Sequence, residues 1–173
     1  MYNFIKKLFK KRHSSDLYNI ILLLSRNIFF YEKIKLKDSF QSRIYLMLFH
    51  FSILMIVINK KKMKFEQSEY DQFFNNIEYS LREQGLGDVS VNSKMKNLNK
   101  TLYDILLKIE NNKEYTNSNF QLNKNLVIKY FDEFKTLNNS NFEQFQSYFN
   151  VFFNFCFELN PKNMLKDIKN FKF

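Results

Sequence analysis

The chain is poor in the residues that build turns and bridges. Its 173 residues include two glycines, one proline and one cysteine, and there is no alanine and no tryptophan. A β-sandwich or barrel needs many tight turns, and two glycines and a proline cannot supply them, so a helical fold is predicted. With Cys156 alone, an intramolecular disulfide is impossible, and nothing points to an oxidising compartment. Phe153, Phe155 and Phe157 surround Cys156 in sequence and favour a buried, inert thiol over a nucleophile. His13 and His50 are the only histidines, and with one cysteine they cannot complete a structural zinc site. No P-loop, GxGxxG, HExxH or GxSxG pattern occurs. The sequence therefore predicts a non-enzymatic protein with no catalytic, cofactor-binding or metal-binding residues. Missing alanine beside abundant Lys, Asn, Ile and Phe fits A/T-rich coding, and leaves helix propensity to Leu, Lys, Glu, Gln and Met.

What is present is core-forming mass. Hydrophobic residues make up 45% and aromatics 18%, with 22 phenylalanines, enough to offset chain entropy and exclude global disorder. The length suits one domain. The predicted architecture is all-α, a compact single-domain bundle of about five to seven helices. Net charge is +10, and half of it falls in residues 1–12, on Lys6, Lys7, Lys10, Lys11 and Arg12. Negative partners follow from that balance: anionic lipid, RNA or an acidic protein.

Helical periodicity organises the chain. Ser14 or Ser15 caps a predicted helix to about Tyr31, with Tyr18, Leu22, Arg26 and Phe29 on one face. Ser39 caps a central helix to about Lys60, on which Arg43, Met47, His50 and Leu54 share a face. Its apolar stretch, Ile44 to Ile58, would span about 22 Å, short of a bilayer's roughly 30 Å, and reads as a buried core helix. Further helices are predicted over about Glu66–Gln84, Ser93–Glu110, Leu122–Leu137 and Asn141–Leu159, with a polar loop at 111–119. Gly85 is placed as the left-handed residue ending the third. The Phe-rich last helix reads as the closing core element, ended by Pro161. Phe4, Ile5, Leu8 and Phe9 alternate with lysines as in a short basic amphipathic helix, so Phe4, Lys6, Lys7, Leu8, Lys10, Lys11 and Arg12 are candidates for contact with an anionic membrane surface. The predicted organisation is a basic amphipathic segment over 1–14, a helical domain over 15–160 and a tail over 161–173.

One ordered set of residues is more specific. Leu81-Arg82-Glu83-Gln84-Gly85-Leu86-Gly87-Asp88 is followed by Val89-Ser90-Val91 and by Lys94-Met95-Lys96. Upstream stand Leu17-Tyr18, Arg26, Phe30-Tyr31, Asp38-Ser39, Arg43, Met47 and His50. In order and approximate spacing this set resembles the ubiquinol–cytochrome c chaperone family over about residues 17–104. Asn27 and Lys37 stand where prolines are frequent in that family, and an aromatic–Gly-Arg stretch is missing, which marks a divergent bacterial-type member. The resemblance implies a non-enzymatic assembly factor of the cytochrome bc1 complex, respiratory complex III. It implies newly synthesised cytochrome b as client, a small partner factor and the ribosome as further partners, no cofactor and no small-molecule substrate. The implied location is the bacterial cytoplasm, peripheral at the inner-membrane face, or the matrix side of the inner membrane in a eukaryote. The family-motif residues, structural or partner-binding, are Tyr18, Arg26, Tyr31, Asp38, Arg43, His50, Leu81, Arg82, Glu83, Gly85, Gly87 and Asp88. Two readings of their charges stand open: helix-end ion pairs, or a polar groove for a client. For His50 the apolar face favours a satisfied core histidine over a ligand. A basic RNA- or ribosome-binding helical module at the membrane surface is the alternative function, although no RNA-binding signature occurs.

Overall fold

The computed structural model describes residues 16–110 and 120–173. The basic start (Phe4 to Arg12), the caps proposed at Ser14 or Ser15 and the 111–119 loop lie outside the described residues. Among the described residues the secondary structure is helical, with no strand: α1 (Asp16–Ser25), α2 (Ile28–Glu32), α3 (Phe40–Lys60), α4 (Gln67–Glu83), α5 (Asp88–Glu110), α6 (Lys124–Tyr130), α7 (Asn139–Glu158) and α8 (Met164–Asp167). Short 3-10 turns follow α6 (Asp132–Lys135) and α8 (Ile168–Asn170). The all-α expectation holds.

α3 is the axis of the bundle. It packs against α1, α5 and α7, while α4 packs on α1 and α5. Ser39 starts it as expected, its Oγ accepting the Ser42 N–H at 3.1 Å. α3 is long and apolar enough to cross a membrane, but here fourteen of its side chains are buried inside the fold. Phenylalanine supplies the contact layers. Phe51 stacks on Phe73 of α4 at 4.2 Å, and Phe30 meets Tyr148 of α7 at 4.6 Å, arrangements worth up to about 1.5 kcal/mol each beyond area burial. Phe145, Phe149, Phe152 and Phe153 are fully buried, so α7 closes the core. Residues after Pro161 join this core: Phe171 packs on Tyr148, Phe152 and Phe155.

Three predicted helices differ in their bounds. The first is broken at Arg26-Asn27, because Asn27 takes an extended ψ of 124° and its side chain caps a new helix at the Phe29 N–H. The Leu122–Leu137 helix is two pieces. Asn123 caps α6, and Phe131 leaves helical dihedrals (φ −128°, ψ 91°), which puts both Phe131 and Phe134 into the core. α5 starts five residues earlier than periodicity suggested, at Asp88. Val91 donates its N–H to the Gly87 carbonyl at 3.0 Å and is buried, while Val89 is exposed, so the valine run is the first turn of the helix.

Candidate functional site

Three helices bring the motif residues of the first half together. α1 contributes Tyr18, the turn that follows it Arg26, α3 Arg43, and the end of α4 Glu83, all lining one open cleft of about 400 Å³. Leu22, Phe40, Ile44 and Met47 supply its apolar surface. The helical repeat explains the assembly: Tyr18, Leu22 and Arg26 follow at four-residue spacing, as do Arg43 and Met47, so each helix turns one mixed polar and apolar stripe to the cleft.

The polar groups are braced. The Tyr18 hydroxyl and Ser80 Oγ are 2.9 Å apart, joining α1 to α4, and Ser80 donates onward to the Asn76 carbonyl at 3.0 Å. Burial raises the Tyr18 pKa, so the phenol stays protonated and available as a donor. Arg43 holds Asp38 through Nε at 2.8 Å and a terminal nitrogen at 2.7 Å, tying the start of α3 to the preceding loop. Tyr31 donates to the Ser25 carbonyl at 2.6 Å across the α1–α2 break, and burial, with the nearby Asp38 charge, pushes its pKa to about 12.

The second half of the motif is built differently. Leu81 is buried, and Arg82 faces solvent, bonded to Glu78 through Nε at 3.1 Å and a terminal nitrogen at 2.8 Å. Its other terminal nitrogen pairs with Asp88, the first residue of α5. Arg82 thus clamps the end of α4 to the start of α5. Gly85 has φ of +81° and donates its N–H to the Arg82 carbonyl at 2.9 Å, the left-handed helix end the sequence indicated. Gly87 has no such dihedral, and a side chain there would meet nothing within 4 Å.

His50 lies in the core, away from any opening. Nδ1 donates to the Leu46 carbonyl at 2.7 Å, and Nε2 accepts from the Tyr148 hydroxyl at 2.9 Å. The carbonyl cannot donate, which fixes the tautomer. Burial lowers its pKa to about 4, so the ring is neutral and both nitrogens are engaged. Cys156 is buried, and burial pushes its thiol up, away from reactive thiolate. No cluster of three His, Cys, Asp or Glu side chains suited to a metal occurs among the described residues. The cleft therefore offers guanidinium and carboxylate charge, hydroxyl groups and apolar walls.

Sequence reasoning missed Asn19, Phe40, Ser80 and Gln84, which also line the cleft. The helical stripe containing Tyr18 could have flagged Asn19's neighbours, but Ser80 becomes visible only once α1 crosses α4.

The family model of the ubiquinol-cytochrome C chaperone matches residues 32–144. The chain belongs to that family. No curated protein and no solved structure matches it. The matched span holds Asp38, Arg43, His50 and the whole Leu81–Asp88 segment, and extends into α7, well past the point near residue 104 where the motifs are legible. Tyr18, Arg26 and Tyr31 precede it in sequence. Membership of the ubiquinol-cytochrome C chaperone family implies a non-enzymatic chaperone role and suggests complex III assembly as its setting.

Proposed function

We propose that this chaperone holds newly synthesised cytochrome b during assembly of complex III, with the cleft of Tyr18, Arg26, Arg43 and Glu83 as its client seat. The observation that carries the reading is the family match over residues 32–144, most of the bundle that walls the cleft. The cleft adds a physical rationale. Two arginines and a glutamate beside Leu22, Phe40, Ile44 and Met47 suit a client segment that is apolar along its length and polar at its flank. The protein works peripherally at the inner-membrane face of the bacterial cytoplasm, drawn there by the basic residues 1–12, where nascent cytochrome b, the ribosome and a small partner factor meet.

Deletion of the gene tests this. Mature cytochrome b and ubiquinol–cytochrome c reductase activity fall, while other respiratory complexes are less affected. Normal complex III in the deletion strain would sink the proposal.

A further inference from the structure

We propose that the solvent face of α5 is a docking seam for an acidic amphipathic helix of a partner protein. Val89, Ser93, Lys96, Lys100, Tyr103 and Leu107 follow one another at alternating four- and three-residue steps, and all are exposed. Over about five turns these steps keep the side chains on one stripe, in the spacing by which two helices interlock. On the opposite face Val91, Leu98, Leu102, Ile105 and Ile109 are buried in the core. The stripe is therefore additional to the face that holds α5 in the bundle. Large apolar bodies stand at both of its ends: Val89 is 84% exposed, Tyr103 58% and Leu107 57%. Tyr103 and Leu107 also border an apolar cleft of about 400 Å³ walled by Met55, Ile58, Met63, Phe65 and Leu106.

The middle of the stripe is cationic. Lys96 and Lys100 make no ion pair among the described residues. The carboxylates nearest in sequence are committed elsewhere. Asp88 pairs with Arg82, and Asp104 holds Lys108 at 3.1 Å and Lys129 at 2.8 Å. A lysine at a helix–helix seam fixes register and partner when a carboxylate faces it.

Other occupants fit this pattern poorly. A helix lying in lipid carries its lysines beside the apolar stripe, not within it. An isologous contact centred on the stripe would set Lys96 against Lys100 of a second copy, like charge on like. Two lysines make a short track for nucleic acid, and Val89 and Leu107 offer no ring for base stacking. The matching partner is a helix with one large apolar residue for the cleft and, about 10 Å along its axis, carboxylates facing Lys96 and Lys100. The seam shares no residue with the client cleft, so the two readings stand or fall separately.

Fluorescence anisotropy of the full chain with two labelled synthetic helices tests the assignment. One carries Leu at the seam positions that meet the cleft and Glu at those that meet the lysines, and the other carries Lys in place of Glu. The parent chain binds the Glu helix about tenfold more tightly than the Lys helix. Lys96→Glu with Lys100→Glu reverses that preference. Lys162→Glu with Lys166→Glu, an equal change of charge at exposed positions of the tail, leaves it as in the parent. Leu107→Glu weakens binding of both helices. Circular dichroism melts confirm that each variant is folded. A charge-reversed seam that keeps the parent's preference overturns the proposal, as does a parent chain that binds neither helix. So does a parent dimer that Leu107→Glu converts to monomer in sedimentation, since the stripe would then belong to a second copy.

Discussion

His50 Nε2 accepts a hydrogen bond from the Tyr148 hydroxyl at 2.9 Å, joining α3 to α7 across 98 residues of sequence. The pair is sealed among Phe30, Phe149 and Phe152 rings, so each partner is the other's replacement for water. Tyr148→Phe leaves Nε2 without a donor and lowers stability by about 1–3 kcal/mol. Chemical denaturation measures it.

The same histidine makes the fold acid-sensitive. Its folded pKa of about 4 lies below the ordinary value of 6.5. The unfolded chain therefore binds the proton first as pH falls. The stability contributed by the neutral ring is complete above pH 6.5, declines as pH drops toward 4, and is gone below that. A melting midpoint that falls between pH 7 and 5, with an imidazole NMR resonance that stays neutral down to pH 5, is the expected outcome. His50→Gln flattens this part of the profile.

The two glycines separate backbone need from chance. Gly85→Val forces a branched side chain to φ +81° and costs roughly 1–2 kcal/mol, although a Cβ there meets nothing within 4 Å. Gly87→Ala, equally uncrowded and without a left-handed dihedral, leaves stability unchanged or raises it by about 0.4–1 kcal/mol. Thermal melts of the two variants distinguish them.

Arginines at the two halves of the motif behave differently when removed. Arg82 is exposed and shares two carboxylates at a helix junction, so Arg82→Ala lowers the melting temperature slightly, and less than Gly85→Val does. Arg26→Glu, on the exposed rim of the cleft, leaves the melt unchanged and lowers co-purification of cytochrome b. Parallel melts and affinity captures report both outcomes.

Much of this fold was legible because its signals are local. Ser39 as a cap, Gly85 as a left-handed end and the apolar run Ile44–Ile58 each act within a turn or two of helix. The misread boundaries have tertiary causes. Phe131 abandons helical dihedrals so that it and Phe134 can both reach the core, and Asn27 interrupts what periodicity alone would continue. The cleft was half visible. The stripe of Tyr18, Leu22 and Arg26 follows from 3.6-residue repeats, but Ser80 and Gln84 join it through the crossing of α1 and α4, which the helical pattern does not encode. The charges form helix-end pairs in two places, Arg82 with Glu78 and Asp88 and Arg43 with Asp38, while Arg26, Arg43 and Glu83 also line the cleft.

The membrane attachment proposed for the basic start is expected to be salt-sensitive. Replacing Lys6, Lys7, Lys10 and Lys11 by Gln removes four of the charges concentrated in residues 1–12 and moves the protein toward the soluble fraction. Fractionation at low and high salt measures the shift, and an unchanged membrane partition would contradict it.

Site-directed photo-crosslinking from the cleft tests the central claim most directly. A photoreactive residue is placed at Asn19 or Gln84, which line the cleft, and for comparison at Glu143, exposed on α7. Irradiation during synthesis of respiratory proteins should join newly made cytochrome b to the two cleft positions and not to Glu143. Folded, membrane-recruited chaperone that yields no cytochrome b adduct from either cleft position would contradict the account.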